Sequence, residues 1–307
     1  ELVSQPKRLE ILLAIFAGSQ FLSETLIRNP GFFGWATSPD SVWTRRGVED
    51  YRHSLRAIRS EAADRRNWLN GLRRLRKQEI LRIGTRDICL NIPIRDVMAE
   101  LSALAGEIVR QATEAVFDRQ ELPEEARRRF CVLAFGKLGA RELNYSSDID
   151  LLGVYEPAEA SREEDLRRFS AVMKQLRSDL SDHMEEGYVY RVDLRLRPHG
   201  TASPIAQTID SVVSYYSGSA APWEHQALLR LRPISGSKEL GQRLLHRLRE
   251  PYFATWHEVD VRQEILSLRR TAVEHHTAGK AGASGIDVAG LDIKNVIGGG
   301  SDVEFLG

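Results

Sequence analysis

Cysteine is scarce in this chain. Cys89 and Cys131 are the two cysteines among 307 residues. Both sit in apolar contexts, without the spacing of a metal site. They read as reduced core thiols of a cytoplasmic protein rather than as a disulfide framework. Long hydrophobic runs are also missing. The longest, Ile11 to Ala17, is too short to cross a bilayer, so no membrane association is expected. No charged segment with a cleavage site precedes it, so no signal peptide is expected. Neither sign of charge is in excess: Lys+Arg and Asp+Glu both number 43, for a formal net charge of zero. That removes any general electrostatic case for nucleic acid, although a local basic patch stays possible. An aromatic-basic stripe of the kind that stacks bases is lacking too, as is any repeat at solenoid periods. What is present is ordinary for a soluble globular protein, with 42% hydrophobic and 28% charged residues. The length suffices for two domains or one large core. The chain opens inside a helical pattern and stops soon after Phe305, as a piece of a longer protein would.

The texture divides the chain into a helical region over 1–125, a mixed region over 126–235 and a second helical region over 236–307. Apolar residues recur at helical spacing up to about residue 30, until "NPGFFGW" (Asn29 to Trp35) interrupts them. An arginine-rich helical stretch runs from Ser41 to Ile83. Its apolar stripe (Leu72, Leu75, Ile80, Ile83) leaves the arginines of "LRRLRKQEILRIGTRD" to be read as a solvated face. Asp96 to Phe117 is amphipathic. At Phe130 the pattern changes. "FCVLAFG" reads as a buried strand ending in glycine, "KLGARELN" as a helical turn or two, and "DIDLLGVY" as a second strand. Asp165 to Glu186 reads as helix. Tyr188 to Pro198 alternates strictly, which predicts a half-buried strand with Arg191, Asp193, Arg195 and Arg197 on one face. Helices are expected over Ile209–Tyr216, Trp223–Arg232, Lys238–Leu248 and Val259–Thr277, with a glycine-rich loop after the last.

Asp148 and Asp150 lie one residue apart. On a strand they project together, and two carboxylates that close either share a proton or bind a cation. Asp193 adds a third on a separate strand. Three oxygen ligands without Cys or His favour a hard ion, Mg²⁺ or Mn²⁺. Such ions can clamp the attacking and leaving oxygens of a phosphoryl or nucleotidyl displacement. Gly136 ends a strand and opens a short helix, which lets backbone N–H groups approach phosphate. Lys137 follows it, Ser146 and Ser147 precede the acidic pair, and Arg195 and Arg197 suit bidentate phosphate contacts. Each residue also has a plainer reading. Asp193 could be a salt-bridged strand residue, Lys137 a cation near a helix start, and the serines turn caps. Trp223, Glu224 and His225 read as helix packing with a capping acid. Asp302 and Glu304 read as structural.

Strand, glycine turn, short helix and D-x-D on the next strand resemble the DNA polymerase β-like nucleotidyltransferase superfamily. The expected fold class is therefore α+β, a small mixed sheet between helical segments. "GKLGARELNYSSDIDL", "YRVDLRLRPHG", "WEHQALLRLRPISG" and "GGGSDVEFL" resemble, in order, the motifs of the glutamine synthetase adenylyltransferase / adenylyl-removing enzymes. That resemblance implies a cytoplasmic enzyme with glutamine synthetase as protein substrate, ATP, ADP and phosphate as small ligands, and a PII signalling protein as a further partner. Such enzymes have two nucleotidyltransferase halves, of which this chain resembles one. "ELNYSSDID" and "VYRVDLRLRP" look more like the removing half, which releases ADP by phosphorolysis. "WEHQALLR" looks more like the adding half. Ala140 stands where the family usually has glycine. The resemblance implies that Asp148, Asp150 and Asp193 hold the metals, that Gly136, Lys137, Ser146 and Ser147 cradle phosphate, and that Arg195 and Arg197 neutralise developing charge. In the adding direction Asp193 would also help to activate the tyrosine hydroxyl. A binding module that senses nucleotide without turnover is the competing class. Three carboxylates facing one point argue against it.

Overall fold

The computed structural model describes residues 5–258 and scattered positions between 263 and 270. The expected helix at Val259–Thr277, the glycine-rich loop and Asp302 and Glu304 lie outside the continuously described residues. Seven helices come first: α1 (Pro6–Gly18), α2 (Gln20–Arg28), α3 (Phe32–Ala36), α4 (Pro39–Trp43), α5 (Val48–Glu61), α6 (Arg65–Leu90) and α7 (Ile94–Arg119). The mixed region holds α8 (Glu124–Arg128), β1 (Phe130–Ala134), α9 (Gly136–Ala140), β2 (Ile149–Tyr155), α10 (Arg162–Ser181), β3 (Val192–Asp193), β4 (Ala206–Thr208), α11 (Ile209–Gly218), α12 (Pro222–Leu228) and β5 (Arg232–Gly236). Two helices, α13 (Lys238–Arg247) and α14 (Arg249–Glu258), follow. This is the expected α+β class. No described helix is long and apolar enough to cross a membrane.

The sheet order is β3-β2-β1-β5, with β4 also on β2. β1 pairs antiparallel with β2 and with β5, whereas β3 and β4 lie parallel to β2. Side chains alternate across the sheet. Phe130, Val132, Ala134, Ile149, Leu151 and Tyr155 face α7 and α10, in a core continuous with the first helices. Cys131, Leu133, Phe135, Leu152 and Val154 face α11 and α13. The burial of both faces explains the near-continuous apolar runs of β1 and β2.

Three expectations need correction. The predicted strand over Tyr188–Pro198 shrinks to Val192–Asp193. The Asp193 carboxylate accepts the Arg195 backbone N–H at 2.7 Å, an Asx-type turn that curls the chain. Buried Arg197 donates to the Leu194 and Ser203 carbonyls at 2.6 and 3.2–3.3 Å and holds that curl. The predicted helix over Trp223–Arg232 ends at Leu228, and Arg232 opens β5. Finally, most arginines of the "LRRLRKQEILRIGTRD" stretch are not on a solvated face, although Arg74 is exposed. α6 is surrounded by α1 to α5 and by α7, and Arg73, Arg76, Arg82 and Arg86 are buried. Arg82 pairs with Glu79 at 2.8 Å and with Glu100, and Arg86 also pairs with Glu100.

Arg73 is fully buried. Its guanidinium donates to the backbone carbonyls of Leu69, Asp179, Asp182 and Gly187 at 2.6–3.1 Å. Burial lowers its pKa. It ties α6 to the end of α10 and to the turn that leads into β3. Replacing Arg73 by Met strands those carbonyls. The expected cost is about 3 kcal/mol in urea unfolding; a loss below about 1 kcal/mol would show that Arg73 does not hold this junction.

Candidate active site

The site is assembled at the ends of β2 and β3. Asp150 pairs in register with Asp193 on the parallel neighbour, and Ile149 with Val192. Asp148 stands just before β2. The strand before them, β1, ends at Ala134, and Phe135 donates its N–H to the Asp150 carbonyl at 2.9 Å. The next residue, Gly136, has φ +56°. A Cβ there would lie 2.8 Å from an Asp150 carboxylate oxygen. Glycine is therefore required twice, by the left-handed backbone and by the close carboxylate. Gly139 is as constrained: a Cβ would fall 1.8 Å from the Arg230 carbonyl.

A cavity of about 530 Å³ opens here, lined by Gly136, Lys137, Ser146, Ser147, Asp148 and Asp150 together with Asn144, Arg191 and Arg230. Six of the nine sequence-predicted residues thus share one cavity. Asp193 lines an adjoining cavity of about 380 Å³ with Arg195, Arg197 and Arg177, and Asp148 and Arg191 border both. Arg195 clasps Asp193 through its side chain at 2.6–3.1 Å, and this keeps the Asp193 carboxyl below its usual pKa. Arg197 donates to backbone carbonyls and so holds the turn, while also lining the adjoining cavity. Ser147 takes part in a turn, accepting the Asn144 N–H at 3.3 Å, while also lining the cavity.

Asn144, Arg191 and Arg230 were not picked out as site residues. Arg191 pairs with Asp148 and could have been found from its place on the predicted acidic strand face. Arg230 reaches the cavity because β5 lies against β1, a pairing the sequence pattern does not reveal. His225 is not part of this lining. It is buried, packs against Tyr216 with ring centroids 5.4 Å apart, and burial lowers its pKa. Glu224 caps α12 by accepting the Ala221 N–H at 2.8 Å, and it also accepts the Tyr215 hydroxyl. His225 is thus packed and Glu224 caps, whereas Trp223 is exposed.

Among the described residues no three His, Cys, Asp or Glu side chains converge as a ready ligand set. Arg191 and Arg195 hold Asp148 and Asp193 instead. The donor chemistry still fits Mg²⁺ or Mn²⁺: three carboxylates gather at one strand end, without sulfur or imidazole. Asp150 shows the strain of that gathering. Burial raises its pKa to about 6, with Asp193 and Asp148 adding to the rise. A raised acid stabilises the fold below its unfolded pKa near 3.8 and loses that contribution as pH climbs through about 6. Above pH 6 the wild type therefore carries a penalty that Asp150→Asn lacks. Without added metal, Asp150→Asn should melt about 3–6 °C higher than wild type at pH 8 and about level with it at pH 4. Equal melting temperatures at pH 8 would mean that Asp150 is not electrostatically strained.

The sequence profile described as glutamate-ammonia ligase adenylyltransferase matches residues 9–247. Three proteins, each named bifunctional glutamine synthetase adenylyltransferase/adenylyl-removing enzyme, are similar to this chain. The one from Thioalkalivibrio sulfidiphilus is 30% identical, over 97% of this chain and 31% of that protein. The one from Streptomyces coelicolor is 31% identical, over 86% and 26%. The one from Cutibacterium acnes is 35% identical, over 76% and 23%. The chain spans less than a third of the length of these relatives. Profile and relatives agree: the chain belongs to the glutamate-ammonia ligase adenylyltransferase family.

Proposed function

We propose that this chain is a metal-dependent nucleotidyltransferase that removes AMP from a tyrosine of glutamine synthetase by phosphorolysis. The observation that carries this reading is the in-register Asp150–Asp193 pair beside Asp148, where the cavity lined by Gly136, Lys137 and Asp150 adjoins the one lined by Asp193. In the forward step a phosphate oxygen bonds to the AMP phosphorus and the bond from phosphorus to the tyrosyl oxygen breaks. The products are ADP and tyrosinate, which takes a proton from solvent. Mg²⁺ or Mn²⁺ held by Asp148, Asp150 and Asp193 would supply charge neutralisation at the transferring phosphorus. Lys137, Ser146, Ser147 and the backbone N–H groups after Gly136 would hold the incoming phosphate. Arg191 sits on the border of both cavities, where its guanidinium would meet phosphate oxygens. Arg195 orients Asp193. The contribution is positional and electrostatic rather than covalent.

The direction rests on two stretches. "ELNYSSDID" and "VYRVDLRLRP" resemble the removing half and supply Asn144, Ser146, Ser147, Asp148, Asp150 and Arg191 of the cavity lining. The stretch that resembles the adding half contributes Arg230 to that lining, while its His225 is buried against Tyr216, outside it. The test is ADP release from adenylylated glutamine synthetase with phosphate and Mg²⁺ or Mn²⁺. The expected result is phosphate-dependent ADP that falls by about a hundredfold or more in the Asp148→Asn, Asp150→Asn double variant. Pyrophosphate release from ATP with unmodified glutamine synthetase, and no ADP from the modified form, would reverse the direction. A folded protein silent in both assays would make the chain a binding module.

A further inference from the structure

Another cavity, of about 380 Å³, lies where the first helices meet the sheet, at the C-terminal end of α9. Four arginines line it: Arg45 and Arg46 from the segment between α4 and α5, Arg141 at the C-cap of α9, and Arg232 at the start of β5. The α7 wall includes Ala103 and Gly106, and a Cβ at Gly106 would meet nothing within 4 Å. The space is therefore not filled by neighbouring side chains.

Charge does not balance in this cavity. Glu100 and Glu107 also line it, but arginines outside the lining already engage them. Arg82 and Arg86 pair with Glu100, and Arg52 and Arg110 with Glu107. Arg45 pairs with Asp96 at 2.9 Å and Arg46 with Glu79. Among the described residues no carboxylate pairs with Arg141 or Arg232. Arg232 donates only to the neutral carbonyls of Leu138 and Gly139, at 2.8 and 3.0 Å. Burial lowers its pKa, and the Arg141 charge beside it lowers it further. An oxyanion between two guanidiniums would replace that repulsion with charge-assisted hydrogen bonds. Junctions between structural layers are also where small-ligand sites concentrate.

We propose that this cavity binds a small oxyanion, a carboxylate or phosphate of metabolite size, between Arg141 and Arg232. The site is distinct from the catalytic cavity yet touches it through one short helix. The carbonyls that Arg232 caps, Leu138 and Gly139, belong to α9, and α9 begins with Gly136 and Lys137. A bound anion competes with those carbonyls for Arg232. Occupancy is thereby transmitted to the residues that floor the catalytic cavity.

The test is calorimetric titration of the whole chain with citrate in one arm and inorganic phosphate in the other, without turnover. Citrate binding would identify a carboxylate ligand, phosphate binding a phosphate ligand. At least one anion should bind, and Arg141→Gln should weaken it about tenfold or more. Lys137→Gln, in the catalytic cavity, should leave citrate binding within about twofold and weaken only the phosphate held there. Arg141 is exposed, so its loss does not threaten folding. Arg232→Gln, checked for a native circular dichroism spectrum, should weaken the same anion. The proposal is overturned if neither anion shows a binding step that Arg141→Gln weakens, or if Lys137→Gln weakens citrate binding equally. Phosphate binding that responds to Lys137→Gln alone belongs to the catalytic cavity, so loss of the Arg141 effect is read separately from the proposed phosphorolysis.

Discussion

The site depends on one piece of backbone pairing, the two-residue register that sets Asp150 beside Asp193. Parallel neighbours lie about 4.8 Å apart, close enough for two carboxylates to act on one ligand. A strand of two residues cannot hold its own register. The structure fixes it from the helical side. Leu180, near the end of α10, accepts the N–H groups of Val189 and Tyr190 at 2.9 and 3.0 Å. The Ser181 hydroxyl then bridges the Tyr190 carbonyl and the Val192 N–H, both at 3.0 Å. Arg73 grips the same end of α10 from α6, and Arg76 lies 4.6 Å over the Tyr190 ring. A slip of one residue would turn Asp193 to the opposite face, so these contacts decide whether Asp193 stands beside Asp150.

Electrostatics at the site follow from that placement. The chain as a whole carries no net charge, yet three acids are concentrated at one strand end. Two are compensated by arginines two or more residues away in the chain: Asp148 by Arg191 and Asp193 by Arg195. Asp150, the most enclosed, is left to answer for the rest by its raised pKa. Arg191 and Arg195 therefore serve two ends. They keep the acids apart in the free protein, and they stand within the same cavities where phosphate charge would arrive.

Much of this was legible in the residues. β1, α9 and β2 follow from a short apolar run, a glycine and a D-x-D step, because local chemistry fixes them: both faces of the strands are buried, and Gly136 needs a conformation that other residues resist. Asp148, Asp150, Lys137 and the serines share a cavity for the same local reason. What could not be read was set by distant partners. Alternation over Tyr188–Pro198 signalled a strand, but Arg197 finds the Leu194 and Ser203 carbonyls and the chain turns. β5 exists because it pairs with β1, roughly a hundred residues earlier. The α6 arginines look solvated in a one-dimensional pattern, and only packing around that helix shows Arg73, Arg76, Arg82 and Arg86 buried, with Arg82 and Arg73 against glutamates and backbone carbonyls.

The first helices are therefore more than a support for a self-sufficient catalytic core. One apolar cluster runs from Ile15 in α1 through α6 and α7 into the sheet, so the layers share their burial energy. Tyr145, one residue before the serines that line the cavity, donates its hydroxyl to Asp87 of α6 at 2.9 Å, and its carbonyl accepts from Arg76. Leu143 donates its backbone N–H to the Ser102 hydroxyl of α7 at 3.0 Å. The loop that carries Ser146, Ser147 and Asp148 is thus positioned from α6 and α7, and β3 from α6 and α10. A movement of α6 relative to the sheet would change the spacing between Asp148 and Asp193 without touching either residue. This geometry lets a candidate site of short strands and turns hold its acids in place, and it puts control of their spacing in the helices behind them.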